Sequence, residues 1–257
     1  MTGDAATRPP TERYADIVQR LAGAQKKRAR GAPAYSVYVN RPAGRRLAAI
    51  AYLAGLTPNV VSIISAGFTF GAIVVIAAAP AVPWIGILVA ALLLIGYALD
   101  SSDGQLARLR GGGTPAGEWL DHVLDAAKNS SLHLAVLITA FLNFTLPSPA
   151  WLLVPIGFAI VASVSFLAMI LNDQLKAAHP QRVIAPESQK ASTPLRAALG
   201  IPTDYGVLCL SFLLLGLPSI FFPLYVLLFV ANLGYLCLAL VKWFRDMTQL
   251  GSTGGRP

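Results

Sequence analysis

Several stretches of this sequence are apolar and long enough to cross a lipid bilayer, which restricts the fold more than any other feature. The clearest stretch runs from Asn59 to Ala79 and follows Thr57 and Pro58, which supply a helix N-cap and a first-turn proline. Hydrophobic residues make up 55% of the chain and charged residues only 12%, with a mean hydropathy of +0.61. Soluble domains do not reach these values, so the sequence predicts an integral membrane protein.

The apolar stretches and the turns between them predict an all-α membrane protein with six transmembrane helices. The predicted spans cover residues 59–79, 84–108, 114–144, 151–175, 205–217 and 221–244. The fifth stretch is short for a span. Together these helices predict one membrane domain over residues 57–246. An even number of crossings would place both chain ends on the same side of the membrane.

The segments on either side of this domain have a different composition. Residues 1–33 are rich in Arg, Lys and Pro and have little to bury, which predicts a mobile basic tail that can be helical over residues 12–27. Residues 34–56 combine Arg41, Arg45 and Arg46 with an apolar run too short to span, which is typical of an amphipathic helix at the membrane interface. A flexible tail is expected over residues 247–257.

The basic residues are distributed unevenly between the two ends of the predicted spans. Of the 20 Lys and Arg residues, all except Lys128 fall before the first span, around the second connection, around the fourth connection or near the C-terminus. The other three connections carry none. The positive-inside rule therefore predicts that both termini lie in the cytoplasm. The net charge of +8 fits this orientation and contact with anionic lipid, and it does not indicate a nucleic-acid partner.

Four aspartates lie in or beside two of the apolar segments. Asp100 and Asp103 are three residues apart near the end of the second span, and Asp121 and Asp125 are four apart near the start of the third. Each pair shares one helical face, and the short glycine-containing connection at 111–113 brings both pairs to the same side of the membrane. Carboxylates are costly at a bilayer and need a function there. Four converging acids suggest bound divalent cations, whereas helix capping would explain only Asp121.

The aspartates belong to a longer pattern of fixed residues. The sequence reads D-x-x-D-G-x-x-A-R, then eight residues, then G-x-x-x-D-x-x-x-D. This pattern resembles the signature of the CDP-alcohol phosphotransferases, and the segment LTPNVVS before the first span is a weaker echo of the same family. The predicted six-helix plan agrees with it. The matched positions are Asp100, Asp103, Gly104, Ala107, Arg108, Gly117, Asp121 and Asp125.

The resemblance implies an enzyme of phospholipid biosynthesis that transfers a phospho-alcohol group from a CDP-alcohol to a hydroxyl acceptor and releases CMP. It implies that the four aspartates bind Mg²⁺ or Mn²⁺, with two ions expected, and that Asp125 is also a candidate general base. Gly104, Ala107, Arg108 and Gly117 would lie at the nucleotide. The resemblance further implies a homodimer in a bacterial cytoplasmic membrane. The distribution of Lys and Arg predicts that the active site faces the cytoplasm.

Three neighbouring residues bear on the choice of donor and acceptor. Glu118 and His122 complete the pattern G-E-x-x-D-H-x-x-D, which is similar to choline and ethanolamine phosphotransferases, whose acceptor is diacylglycerol. In that version His122 competes with Asp125 as the general base. Lys128 shares a face with Asp125 and can either bind a substrate phosphate or balance the charge of the acids. We favour CDP-diacylglycerol as the donor and a small polar alcohol as the acceptor, and the choline-type reaction is the alternative.

A divalent-cation carrier is an alternative from another functional class, because acids within a membrane also mark ion pathways. A carrier predicts acids throughout the membrane depth. The fourth to sixth predicted spans carry none near their centres, so the sequence favours an enzyme. Cys209 and Cys237 each lie in an apolar run, where packing is the expected role.

Overall fold

The computed structural model describes residues 12–23, 33–179 and 201–252. Within these ranges the chain is helical and contains no β-strand, so the predicted all-α class is confirmed. Three short 3₁₀ turns cover Pro149–Leu152, Ile201–Thr203 and Phe212–Leu214, and a π-helical turn covers Ser36–Asn40. The α-helices are α1 (Tyr14–Gly23), α2 (Arg41–Leu53), α3 (Pro58–Ala78), α4 (Pro83–Leu109), α5 (Pro115–Asn143), α6 (Leu153–Ala178), α7 (Tyr205–Ser211) and α8 (Pro218–Ser252).

Among the described residues, four helical segments are long and apolar enough to cross a membrane, as an integral membrane protein requires. They are Pro58–Ala78, Pro83–Leu109, Pro149–Ala178 and Pro218–Leu250. Helix α5 has 29 residues but carries the charged part of the signature in its first half. The apolar helix Tyr205–Leu214 rises only ~15 Å, about half the thickness of the hydrocarbon core. The structure therefore supports four spans, and the expectation of six complete spans is not confirmed.

The turn between α4 and α5 sets the relative positions of the two halves of the signature. Helix α4 ends at Leu109, and Gly111 and Gly112 follow with φ angles of 97° and 134°, which residues with a side chain rarely adopt. Thr114 then caps α5 by accepting a hydrogen bond from the amide of Gly117 at 3.1 Å. A tight turn and an immediate cap therefore place the end of α4 beside the start of α5.

Close contact between α3 and α4 fixes the helix that carries the first two aspartates. Ser65 of α3 donates a hydrogen bond to the carbonyl of Gly96 in α4 at 2.9 Å. A Cβ atom at Gly96 would overlap the side chain of Thr69. The main apolar core extends from these two helices to α5, α6, α7 and α8 and contains fully buried residues such as Leu93, Val136 and Phe212.

Helix α1 lies within the range 12–27 where the basic tail is expected to be able to form a helix, but it is packed against the rest of the chain. Ile17 and Leu21 lie on one face of α1 and are 0% and 2% exposed in a second core with α2, α3 and α4. Arg20 of α1 also forms an ion pair with Glu12. This short helix buries only two residues fully, so composition alone points to a tail. The remainder of the predicted tail, residues 1–11 and 24–32, lies outside the described residues.

The C-terminal and interfacial segments also have defined structure. Helix α8 continues to Ser252, so residues 247–252 are helical where a flexible tail is expected. The predicted interfacial segment contains the π-helical turn and α2, which together run to Leu53. Gly44 of α2 approaches α4 so closely that an added Cβ would lie 2.8 Å from Ser101. The segment is thus packed against the helix that carries the signature, and its depth relative to a membrane stays a prediction.

Candidate active site

Three of the signature aspartates converge where α4 ends and α5 begins. One carboxylate oxygen from each of Asp100, Asp103 and Asp121 lies within 4.8 Å of the other two. Like charges at such distances repel unless a cation or a proton compensates them. Carboxylate oxygens are the ligands that Mg²⁺ and Mn²⁺ prefer, so this donor set fits the expected metal. The cluster can therefore bind a divalent cation.

Asp103 is the most enclosed member of this cluster, with 7% of its surface exposed. Its Oδ2 accepts a hydrogen bond from Ser62 Oγ at 2.5 Å, and its Oδ1 accepts one from the amide of Gly104 at 2.5 Å. Ser62 is the last residue of LTPNVVS and was not assigned a role by the sequence pattern. Its position in that segment, one turn after Pro58 in an otherwise apolar run, is the signal that could have identified it.

Asp125 shares an ion-pair partner, Lys128, with Asp100. Lys128 Nζ lies 2.9 Å from Asp125 Oδ1 and 2.6 Å from Asp100 Oδ1. The Lys128 side chain is only 10% exposed, and both carboxylates are 27% exposed. The ammonium group therefore balances the charge of two acids, which is one of the two roles that the sequence allows for Lys128. Among the described residues, the cluster of three mutually close carboxylates does not include Asp125.

His122 lies near Glu118 and Asp121, and it also borders an apolar groove. His122 Nε2 is 3.8 Å from Glu118 Oε1, and His122 Nδ1 is 4.0 Å from Asp121 Oδ2. The imidazole also lies edge-to-face with Phe166 of α6, with 6.3 Å between ring centroids. The groove between α5 and α6 has a volume of about 300 Å³, and Trp119 lines it together with His122.

The glycines and the arginine of the signature have different surroundings. A Cβ atom at Gly117 would lie 2.9 Å from Asn59 Oδ1, so this glycine permits close packing against the start of α3. At Gly104 a Cβ atom would meet only Arg108 Nη1, at 3.5 Å, which is an ordinary contact. Ala107 is partly buried and Arg108 is exposed. The nucleotide contacts expected of these residues stay predictions.

Two neighbouring cavities extend from the acids into the bundle. The smaller, of about 200 Å³, is lined by Asp100, Asp125 and Lys128 and also by Thr69 and Asn129. The larger, of about 440 Å³, continues between α6, α7 and α8. Sequence spacing links Asn129 to the motif, because it follows Asp125 by four residues. Tyr97 has a similar link, because it precedes Asp100 by three residues in α4. The other residues that line both cavities have no such link to the signature; they are Phe166, Met169 and Tyr205.

Asp204 joins the segment before α2 to the wall of the larger cavity. It is 1% exposed, and it caps α7 by accepting a hydrogen bond from the Gly206 amide at 3.0 Å. It also accepts a hydrogen bond from the Tyr35 amide at 2.7 Å. Burial raises the pKa of the Tyr35 phenol, so this ring stays neutral. Asp204 thus caps the start of α7 and also binds the segment before α2.

The remaining histidines of the described chain have structural surroundings. His133 is 2% exposed, its Nδ1 lies 2.6 Å from the Tyr225 hydroxyl, and its ring stacks on Phe158 with 3.9 Å between centroids. His179 is exposed at the end of α6, where its Nδ1 lies 2.9 Å from the Leu175 carbonyl oxygen. His133 is therefore part of the core, and His179 lies at the surface at a helix end.

Two crystal structures of phosphatidylinositol phosphate synthase (PgsA1) from Mycobacterium tuberculosis are similar to this chain at 17% identity. The structure in complex with manganese and citrate has a TM-score of 0.46 and covers 82% of this chain and 91% of its own. The structure with CDP-DAG bound has a TM-score of 0.45 and covers 85% and 98%.

A comparison with curated proteins gives no match. The family model described as CDP-alcohol phosphatidyltransferase matches residues 55–242, which include the whole signature and most of the chain. The chain belongs to the CDP-alcohol phosphatidyltransferase family.

Proposed function

We propose that this membrane protein transfers a phospho-alcohol group from a CDP-alcohol to a hydroxyl acceptor, with a divalent cation bound by its aspartates. Family membership supports the general reaction. The observation that carries the metal dependence is the convergence of Asp100, Asp103 and Asp121, each of which offers an oxygen within 4.8 Å of the others. Asp125 is the fourth proposed ligand. It is linked to the cluster through Lys128, which contacts both Asp125 and Asp100.

The proposed reaction forms a bond between the acceptor oxygen and the β-phosphorus of the donor. It breaks the bond from that phosphorus to the bridging oxygen, which leaves with CMP, and the acceptor hydroxyl gives up its proton. A bound Mg²⁺ or Mn²⁺ would neutralise charge on the diphosphate. Asp125 is the proposed proton acceptor because its side chain lines the smaller cavity, where an acceptor hydroxyl can reach it. Arg108, Gly104, Ala107 and Gly117 are proposed to border the nucleotide.

The favoured donor is CDP-diacylglycerol and the favoured acceptor is a small polar alcohol. The cavity at Asp100 and Asp125, of about 200 Å³, supports this choice because it suits a small molecule better than a lipid. The groove between α5 and α6 has exposed apolar walls, with Trp119 67% and Leu167 66% exposed, and it suits acyl chains. A lipid donor and a small acceptor would then reach the acids from different sides.

The choline-type reaction, with diacylglycerol as the acceptor, is the second candidate. The position of His122 favours it, because this imidazole borders the apolar groove and also lies near Asp121. In that reaction a lipid hydroxyl would enter along the groove and give its proton to His122. The two candidates therefore differ in which residue accepts the proton.

We further propose a cytoplasmic active site, with both termini on the same side. The distribution of Lys and Arg supports this orientation. Two bound ions, a homodimer and a bacterial membrane are expectations from the family resemblance. The proposed membrane domain covers residues 57–246 and follows the interfacial segment 34–56.

CMP release from the purified protein, with Mg²⁺ or Mn²⁺ present, tests the reaction and its substrates. CDP-diacylglycerol, CDP-choline and CDP-ethanolamine are each offered with a panel of small alcohols and with diacylglycerol. We expect release from CDP-diacylglycerol with a small alcohol. Release only from CDP-choline or CDP-ethanolamine with diacylglycerol would select the second candidate. Uptake of Mn²⁺ into liposomes without any CMP release would instead support a cation carrier.

A further inference from the structure

Polar side chains continue from the signature into the helix bundle along one face of α5. Asn129 and His133 follow Asp125 at four and eight residues, so the three side chains lie in one row. Asp125 and Asn129 line the smaller cavity, and Asn129 and His133 line the larger one. The row extends ~12 Å, or about two helical turns, beyond the last aspartate. It therefore connects the acids to both cavities.

Two asparagine amides in these cavities have hydrogen-bonding capacity that the described residues do not use. Asn232 Nδ2 of α8 donates to the carbonyl oxygens of Pro202 at 3.1 Å and Leu228 at 2.8 Å, which leaves its Oδ1 without a partner within the described ranges. The Asn129 amide has no hydrogen-bond partner in the part of the chain that the structure describes. An amide inside a bundle is costly unless water or a ligand pairs with it. Both side chains can therefore bind hydroxyl or amino groups of a polar ligand.

The charged groups that line the two cavities favour a ligand without an anionic group. Among the described lining residues the acids are Asp100, Asp125 and Asp204, and the only Lys or Arg is Lys128. Lys128 Nζ is held between Asp100 Oδ1 at 2.6 Å and Asp125 Oδ1 at 2.9 Å. A buried phosphate needs Arg or Lys donors to replace its hydration, and the described walls offer none that is not already paired. An uncharged or cationic ligand avoids this cost.

The aromatic walls suit the same ligands. Tyr97 and Tyr205 line both cavities and lie edge-to-face, with 5.0 Å between their ring centroids. Tyr235 and Trp243 of α8 line the larger cavity. The negative face of an aromatic ring attracts an ammonium group and packs against C–H groups, whereas it repels an anion. These rings therefore add binding surface for an uncharged or cationic molecule.

We propose that the acceptor lies across both cavities and is an alcohol that carries no phosphate or carboxylate. Its reactive hydroxyl lies in the smaller cavity at Asp125, and Asn129 and Asn232 bind its other hydroxyl or amino groups. The acceptor oxygen bonds to the β-phosphorus of the donor, CMP leaves with the bridging oxygen, and Asp125 takes the hydroxyl proton. This inference rests on the proposed function with CDP-diacylglycerol as the donor, and it adds the charge class of the acceptor and the residues that select it.

Matched acceptor pairs test this inference through CMP release from CDP-diacylglycerol with Mn²⁺. Myo-inositol is compared with myo-inositol 3-phosphate, glycerol is compared with glycerol 3-phosphate, and ethanolamine represents the amino alcohols. For the pair that reacts, we expect kcat/KM to be about tenfold or more higher for the unphosphorylated member, because the phosphate would be buried without an unpaired cation. Release with inositol or glycerol identifies a polyol acceptor, and release with ethanolamine alone identifies an amino alcohol.

Asn129→Ala tests where the acceptor binds. It should raise the KM of the best acceptor about tenfold, as expected for a lost hydrogen bond, and leave the KM of CDP-diacylglycerol within about twofold. Asn143→Ala is the matched control, because Asn143 lies on the same helix, bonds to Thr139 and lines neither cavity. It should leave both KM values unchanged. Asn232→Ala serves if Asn129→Ala does not fold, and it should separate the two KM values in the same way.

Met169→Lys tests the charge preference by adding a cation to the wall. Met169 lines both cavities and is 49% exposed in the C-terminal half of α6, so a lysine ammonium group there can reach water. This variant should raise kcat/KM for the phosphorylated alcohol about tenfold relative to the unphosphorylated one. Met169→Leu keeps the wall uncharged and should retain the original preference.

A higher kcat/KM for the phosphorylated member of the reacting pair in the unaltered protein would overturn the inference and leave the proposed function standing. Equal acceptor KM values for folded Asn129→Ala, Asn232→Ala and Asn143→Ala would overturn the proposed position, as would an unchanged preference in folded Met169→Lys. Release only from CDP-choline or CDP-ethanolamine with diacylglycerol would contradict the inference and select the second candidate. No CMP release with any donor and acceptor would instead remove the proposed function itself.

Discussion

Asp103 shows how a signature residue depends on a neighbour that the signature does not contain. Its carboxylate is buried beside Ser62, which donates the hydrogen bond to Oδ2. The signature predicts Asp103 because its spacing to the other acids is fixed. It does not predict Ser62, because a hydroxyl in an apolar helix commonly bonds to its own backbone. Ser62 also makes that bond, to the Pro58 carbonyl at 3.2 Å.

Ser62→Ala should weaken metal binding because the buried Asp103 carboxylate loses a hydrogen bond that holds its orientation. We expect the apparent Mn²⁺ affinity to fall about tenfold, which corresponds to ~1.4 kcal/mol for one such bond. Calorimetric titration with Mn²⁺ measures it. Ser131→Ala is the control, since Ser131 donates to the Ala127 carbonyl of its own helix. Equal Mn²⁺ affinity in both variants would show that Ser62 has no positioning role.

His122→Ala tests which residue accepts the proton. If Asp125 is the base, the variant should retain CMP release to within about tenfold, because His122 lies beside the groove and does not line the smaller cavity. The turnover rate with CDP-diacylglycerol and the best small alcohol is the quantity to measure. A loss of a hundredfold or more would transfer the role to His122 and favour the choline-type reaction.

At the scale of elements, local sequence signals predict α3 and α5, which contribute residues to the site, better than they predict α7. Thr57 with Pro58, and Thr114 with Pro115, mark the starts of α3 and α5. The apolar run after Asp204 predicts a fifth span, but α7 is followed by a 3₁₀ turn that ends at Leu214. A Cβ atom at Gly216 would overlap the backbone at Pro83. A local sequence pattern does not predict this contact, because the two positions are far apart in the chain.

The turn between α4 and α5 can be tested by its glycines. Gly112→Ala should destabilise the protein by about 1 kcal/mol or more, because its φ of 134° is strained for any residue with a Cβ. It should also weaken Mn²⁺ binding, since the turn holds two pairs of acids together. Thermal unfolding and Mn²⁺ titration measure the two effects.

Gly113→Ala is the control for this turn. Gly113 has no positive φ, and an added Cβ would meet nothing within 4 Å. It should therefore behave as the unaltered protein in both measurements. Equal behaviour of Gly112→Ala and Gly113→Ala would mean that the geometry of the turn does not position the acids.

At the scale of the whole molecule, composition predicts the membrane environment and the helical class, and the structure bears out both. The number of crossings does not follow from composition, because α5 is long but charged and α7 is apolar but short. The burial of α1 also cannot be predicted from its local sequence, since it depends on contacts with α2, α3 and α4. Orientation relative to the membrane stays a prediction from the basic residues.

Labelling of single cysteines tests this orientation. In a background with Cys209→Ser and Cys237→Ser, a cysteine is placed either at Gly113, between α4 and α5, or at Ser148, between α5 and α6. A maleimide that cannot cross membranes should label Ser148→Cys in intact bacterial spheroplasts and Gly113→Cys only after permeabilisation. The reverse pattern would place the acids on the outer side and refute the cytoplasmic site. Labelling of both positions from one side would show that α5 does not cross.

The central claim is that the clustered aspartates bind a divalent cation that the transfer of the phospho-alcohol group requires. Its most direct test is CMP release from CDP-diacylglycerol before and after metal removal by a chelator. We expect release to stop without metal and to return with Mn²⁺ or Mg²⁺. Asp121→Ala should lower it by at least a hundredfold, and Asp173→Ala, at an exposed position on α6, should leave it unchanged. Full release without metal, or from Asp121→Ala, would contradict the account.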